Sequence, residues 1–220
     1  MLSKFIASSA AMVALSSLVT AAPQLSIPAQ LQLADSVADR YQILPNNEDF
    51  VFDFNTATVP IASRKNFHAL VGTGLSVTVG RAEGCSMAAL HIHPRSAEIF
   101  VVLEGRMYTE MIPEGGVVDA DGKPRVIRTE LRANQTTIFP QGSFHAQVNP
   151  DCTPALAVAA FASDDPGAAL VVPQVFTQTD DFVLSSFGDA ISPEELARFR
   201  EAIPKGAILE AAECRKRCGL

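Results

Sequence analysis

Apolar and polar positions alternate with a period of two through the middle of the chain, and a period near 3.6 appears only toward its ends. Successive side chains of a strand leave on opposite faces, so such alternation predicts strands buried on one side. Residues 49–54 (D-F-V-F-D-F) predict an edge strand, and residues 66–70 and 75–79, with Gly72 and Gly74 between them, predict two more. Residues 87–93, 99–103 and 106–112 follow at short spacing, Gly105 making a hairpin of the last two. A polar stretch, 113–125, holds the turn signal Asp121-Gly122. Strands are then expected at 126–131, 135–139, 145–148 and 155–161. Many short strands separated by turn residues point to a sandwich or barrel, and no internal repeat suggests a second one.

The pattern changes after residue 165. Ser192-Pro193-Glu194-Glu195 is a capping box with proline at the first helical position. Leu196, Phe199, Ala202 and Ile203 recur at helical spacing until Pro204. Residues 207–217 can form a second helix closed by Gly219. Near the other end, residues 22–44 are rich in Gln, Leu and Ala, and 31–40 read as a short helix or an extended arm. The organisation expected is a leader (1–21), an arm (22–44), a β-barrel (45–190) and C-terminal helices (191–220).

Composition narrows this picture. A chain of 220 residues with 48% hydrophobic and 19% charged residues suits one compact, core-bearing domain. A net charge of -7 and the lack of a basic stripe argue against nucleic acid or an anionic membrane as partner. Lys4, the apolar run 5–19 and the small residues Val19-Thr20-Ala21 have the form of a signal peptide cleaved after Ala21, with no membrane anchorage thereafter. In the oxidising compartment this implies, Cys85, Cys152, Cys214 and Cys218 suggest two disulfides with three possible connectivities. A metal site at Cys214 and Cys218 is the alternative reading of that pair, but it lacks partner ligands nearby. Asn134-Gln135-Thr136 is a glycosylation sequon in a position that suits an exposed turn.

The candidate chemistry lies between Gly84 and Gly105. His91 and His93 share one face of a strand, and a turn through Pro94 and Arg95 can return Glu98 to the same face. His145 opens a later strand after Pro140-Gln141-Gly142, and the chain has only four histidines. Three imidazoles and one carboxylate suit a divalent ion with about two open positions. That geometry fits Mn(II) or Fe(II) better than zinc. His68 lies outside this arrangement and reads as structural or surface. Arg95 could meet an anionic substrate, or equally pair with a carboxylate or a turn carbonyl.

H-x-H-x4-E-x6-G followed by P-x-G-x2-H-x3-N resembles the two cupin motifs, and H-I-H-P-R-S-A-E-I resembles in particular the germin-like and spherulin-like proteins. The resemblance covers roughly residues 45 to 203. It implies an all-β jelly-roll cupin barrel with C-terminal α-helices. It implies manganese, with Fe(II) less favoured, held by His91, His93, Glu98 and His145. It also implies C-terminal helices that clasp a neighbouring subunit in a homo-oligomer. The expected function is a secreted oxidoreductase of oxalate oxidase or superoxide dismutase type acting on a small ligand such as a carboxylate. The alternative is a metal-stabilised binding or wall-associated structural protein without turnover. Three departures stand out: six residues rather than five separate Gly84 from His91, Asn134 replaces a glycine, and Ala88 stands where the oxalate-degrading germins have Asn.

Overall fold

The computed structural model describes residues 24–188 and 190–220. The expected leader lies outside them. Eleven strands are described: β1 (Ile61–Ala62), β2 (Ser76–Ala82), β3 (Ser86–Ile92), β4 (Glu98–Glu104), β5 (Arg106–Ile112), β6 (Ile127–Arg132), β7 (Gln135–Phe139), β8 (Phe144–Val148), β9 (Ala155–Phe161), β10 (Ala169–Leu170) and β11 (Ile208–Glu210). They form two antiparallel sheets, ordered β1-β2-β9-β4-β7 and β10-β3-β8-β5-β6. β11 also pairs with β3, so β11 and β10 cover that strand's free edge one after the other. The sheets close on each other as a jelly roll, which leaves few unpaired edges.

Alternation along the strands decides what fills the barrel. Phe100 and Val102 of β4, Met107 and Met111 of β5, Leu131, Phe139, and Ala155, Ala157, Ala159 and Phe161 of β9 make one buried cluster between the sheets. Glu98 begins β4 on the same inward face as Phe100 and Val102, which places a carboxylate at one end of an otherwise apolar interior. Gly105 supplies the positive φ of the β4–β5 hairpin, and a Cβ there would meet Ala155. Asn134 takes φ 65° in the β6–β7 turn, so it can stand in for the glycine expected there.

The N-terminal arm is helical, as α1 (Ile27–Leu33) and α2 (Val37–Ile43), each capped by a serine, Ser26 and Ser36. Leu31, Leu44 and Val71 form a small second core beneath them. The edge strand expected at residues 49–54 is absent. Asp49 accepts the backbone N–H of Asn46 and closes a capping box, which winds Asn47–Phe50 into a 3-10 turn. The strand expected at 66–70 is also absent: Asn66 accepts the N–H of Ser63, and His68–Leu70 turns as another 3-10 segment.

Beyond β10 come α3 (Val171–Val175), α4 (Asp180–Ser186), α5 (Pro193–Ala202) and α6 (Ala212–Cys218). The capping box at Ser192 and Glu195 forms as expected. The second C-terminal helix starts five residues later than the pattern suggested, because Ile208–Glu210 pairs with β3 instead. Gly219, at φ 68°, ends α6. Two disulfides, Cys85–Cys214 and Cys152–Cys218, fasten both ends of α6 to the barrel, so these cysteines are not metal ligands.

Candidate metal centre

Both sheets contribute to one cluster at the end of the barrel. His91 of β3 and His145 of β8 are direct cross-strand partners in one sheet. Glu98 of β4 lies in the other, between Phe139 of β7 and Phe161 of β9. His93 sits in the turn linking the two sheets. The donor atoms of these four residues all lie within 4.8 Å of one another, a group that could hold a metal ion. Glu98 and His145 are 2% and 1% exposed, whereas His91 is only half-buried, which sets the side of approach.

Hydrogen bonds fix which ring nitrogen faces the centre. Nδ1 of His91 meets the Ala89 carbonyl at 2.7 Å, Nδ1 of His93 that of Gly167 at 2.5 Å, and Nδ1 of His145 that of Ser143 at 2.8 Å. A carbonyl only accepts, so each Nδ1 carries the proton and each neutral ring presents a bare Nε2. Yet Nε2 of His93 and of His145 lie 2.9 and 3.3 Å from the same oxygen of Glu98. Lone pairs facing a carboxylate at that distance repel unless a proton or a cation stands between them. The donor set therefore fits a divalent cation.

The same geometry sets the charges when no cation is bound. Burial pushes His91 down to about 4, helped by the neighbouring His145, so this ring is neutral at neutral pH. Burial also opposes charge on His93, but the bonds to Glu98 and to the Gly167 carbonyl outweigh it and raise its pKa. For Glu98 burial acts upward, and hydrogen bonds from His145 and His93 override it, bringing the carboxyl to about 2. The site thus keeps its carboxylate ionised and His91 ready to ligate.

Aromatic rings hold the imidazoles in place. Phe139 stacks on His145 at 4.3 Å with planes 9° apart, and Phe161 meets His93 edge-on at 4.7 Å. The turn carrying Gly142 docks on the first motif, Gly142 donating its N–H to the His93 carbonyl. Asn149, the last motif residue, is fully buried and ties the carbonyls of Ala82, Glu83 and Thr153 together.

The extra residue before His91 is absorbed by a register shift in β3: Ala88 pairs with Gln147 and His91 with His145, so three steps on β3 match two on β8. A β-bulge of this kind re-aims a side chain. Gln147 is a residue the sequence reading missed, although it lies two positions past His145 and must share its inward face. Its amide donates to Glu98 at 3.4 Å, and its buried Oε1 has no partner. Arg95 is committed to Asp165, through the carbonyl and a carboxylate contact, each at 2.9 Å. His68 lies in the 3-10 turn outside the cluster.

Residues 43–193 match the family model described as Cupin. Spherulin-1A of Physarum polycephalum is 32% identical over 209 residues, covering 90% of this chain and 80% of that protein. A probable germin-like protein, subfamily 2 member 5 of Arabidopsis thaliana, is 31% identical over 160 residues, covering 68% and 70%. Among solved structures, a recombinant oxalate oxidase in complex with glycolate superposes with a TM-score of 0.58 at 19% identity, over 71% of this chain and 82% of that one. The oxalate decarboxylase of Bacillus subtilis, which has Mn(II) centers, gives 0.55 at 16% identity over 68% and 36%.

Proposed function

For a chain that belongs to the cupin family, we propose a manganese-binding, germin-like protein that acts as an oxidoreductase on a small carboxylate or on superoxide. The observation that carries the metal reading is the set of three Nδ1–carbonyl bonds, which leaves three Nε2 lone pairs free, two of them against the buried Glu98 carboxylate. His91, His93, Glu98 and His145 would hold the ion. Once bound, it supplies a Lewis-acidic, redox-capable centre. The chain's own part is to exclude water with Phe139 and Phe161, to keep Glu98 ionised, and to offer the partnerless Oε1 of Gln147 to a donor on the ligand. The glycolate held by the related oxalate oxidase fold, the Mn(II) centers of the decarboxylase, and a donor set that leaves coordination positions free all support a small carboxylate and manganese.

A second reading, a metal-stabilised binding or wall-associated structural protein, is favoured by one feature. Among the described residues, the buried polar groups beyond the four ligands are Ser76, Ser96, Thr109, Ser143, Gln147 and Asn149, none of which is a general acid or base near neutral pH. Ala88, opposite Gln147, adds no polar group. Metal analysis and turnover assays with oxalate and superoxide separate the readings. His91→Ala or His145→Ala is expected to lose most bound manganese and His68→Ala to keep it. Full occupancy in His91→Ala would defeat the assignment, and metal without turnover would leave the second reading standing.

Secretion and glycosylation at Asn134 belong to the same proposal; the asparagine is exposed in its turn, and no helix among the described residues is long and apolar enough to cross a membrane. So does a homo-oligomer. Leu196 is buried within the chain, and α5 packs on α3 and α4, with Phe176 against Phe199 at 6.0 Å and Arg200 bonded to Asp180. Phe199 and Phe182 nevertheless remain 43% and 70% exposed, an apolar surface suited to a second copy. Light scattering at micromolar concentration should give a mass of more than one chain, and a monomer mass would count against the clasp.

A further inference from the structure

The three imidazoles are not held alike. His91 and His145 bond carbonyls two residues back, of Ala89 within β3 and of Ser143 just before β8, whereas His93 bonds a carbonyl 74 positions away, at Gly167. His93 follows the end of β3, and its Nδ1 turns instead to the loop beyond β9. The loop presenting Gly167 is itself tied on all sides. Ser163 accepts from Ser76, and Asp164 accepts the N–H of Gly72 and bonds Arg64 through its carbonyl. Pro166 accepts the N–H of Arg95, and β10 then pairs with His91 and Ile92. Gly167 has φ +66°, and a Cβ there would lie 2.9 Å from the Arg95 guanidinium, which is fastened to Asp165.

We infer that Gly167 is a positioning residue for the metal centre, its carbonyl setting the ring orientation and tautomer of His93, and that Arg95 serves to seat this loop rather than to bind substrate. The inference rests on the proposed metal reading. An L-alanine at this φ is strained and pushes on a held guanidinium. Turning the peptide relieves both and takes the carbonyl away from Nδ1. Loss of such an outer partner typically costs about 10–100-fold in metal affinity.

The test titrates chelator-treated protein with Mn(II) alone and follows the free-ion signal by electron paramagnetic resonance. Gly167→Ala is expected to weaken binding about 10-fold or more. Gly122→Ala is the control, because Gly122 has a matching φ of +75° in an exposed loop and nothing within 4 Å. It carries the same backbone strain and should bind as the parent does. In the metal-free proteins, histidine nitrogen NMR should show the Nδ1–H of His93 deshielded and protected in the parent, with that protected signal gone in Gly167→Ala and those of His91 and His145 unchanged. If Gly167→Ala does not fold, Arg95→Ala, on an exposed side chain, takes its place and should weaken binding several-fold. Affinity within twofold of the parent and an unchanged His93 signal, in whichever variant folds, would overturn the inference while leaving the metal reading intact. A parent that binds no Mn(II) would defeat the metal reading, and the NMR comparison would still decide the role of Gly167.

Discussion

Acidification of the metal-free protein isolates the behaviour of His91. In the unfolded chain its imidazole titrates near 6.5, and in the folded chain near 4. Between those values the unfolded state takes up a proton that the folded state refuses, so stability falls as pH falls. At about 1.4 kcal/mol per pKa unit the full displacement is worth about 3 kcal/mol, of which about 2.5 is lost by pH 4.5. The neighbouring groups act elsewhere. His93, with a raised folded pKa, contributes stability already complete below 6.5 and lost only as pH rises through that folded value. Glu98, brought to about 2, contributes stability lost as pH falls below the usual 4.5. The window from 6.5 to 4.5 therefore reports His91 within this cluster. The chain has no tryptophan, so urea unfolding is best followed by far-ultraviolet circular dichroism in the presence of chelator. With a urea slope of about 2 kcal/mol per molar, the midpoint should drop by about 1 M between pH 6.5 and 4.5. His91→Asn should lose most of that drop. An equal midpoint at both pH values, or the same drop in the variant, would refute the reasoning.

Removing the longer cross-link with Cys85→Ala and Cys214→Ala should cost about 4 kcal/mol in urea unfolding; a separation of 129 residues alone predicts about 5, and the remaining bridge already restrains part of that chain. Intact-mass measurement of the parent should find no free thiol, and alkylation of all four cysteines without reduction would exclude both bridges. Phe139→Ala should cost about 3–5 kcal/mol, since the ring is 1% exposed, and should also weaken metal retention by freeing the His145 ring; unchanged retention would show that the stack does not orient it.

The long strands and the convergence of three histidines and Glu98 were legible because both follow from alternation. His91, Glu98 and His145 point inward for the same reason as Phe100 and Met111. What alternation cannot read is structure defined by a distant partner. β10 and β11 are two and three residues long and exist as strands only because β3 offers an edge. Residues 49–54 alternate correctly but are drawn into a turn by the Asn46–Asp49 capping box. Cys214 and Cys218 are one helical turn apart, yet each reaches a different loop, a pairing fixed by where α6 lies. Gly167 carried a signal, Asp165-Pro166-Gly167, a turn-forming tripeptide, but nothing local shows that its carbonyl meets His93.

The placement of the two bridges also has a consequence in time. A chain is made from its N-terminus, and Cys85 and Cys152 are neighbours in the finished fold: the Cys85 N–H bonds the Asp151 carbonyl, and Gly84 lies against the carbonyl of Cys152. When Cys152 emerges, Cys218 is still 66 residues from being made, and neither of these thiols has its final partner. The pairing first available is therefore Cys85 with Cys152; were it to form, attack by the Cys214 thiolate on Cys85 would release the Cys152 thiol, and an external two-electron oxidant would then have to join Cys152 to Cys218. The helix α6 thus carries both of the thiols that complete the native pairing. It follows directly on β11, which pairs with the strand bearing His91, so the segment that covers that strand and the helix that fastens the barrel are made one after the other.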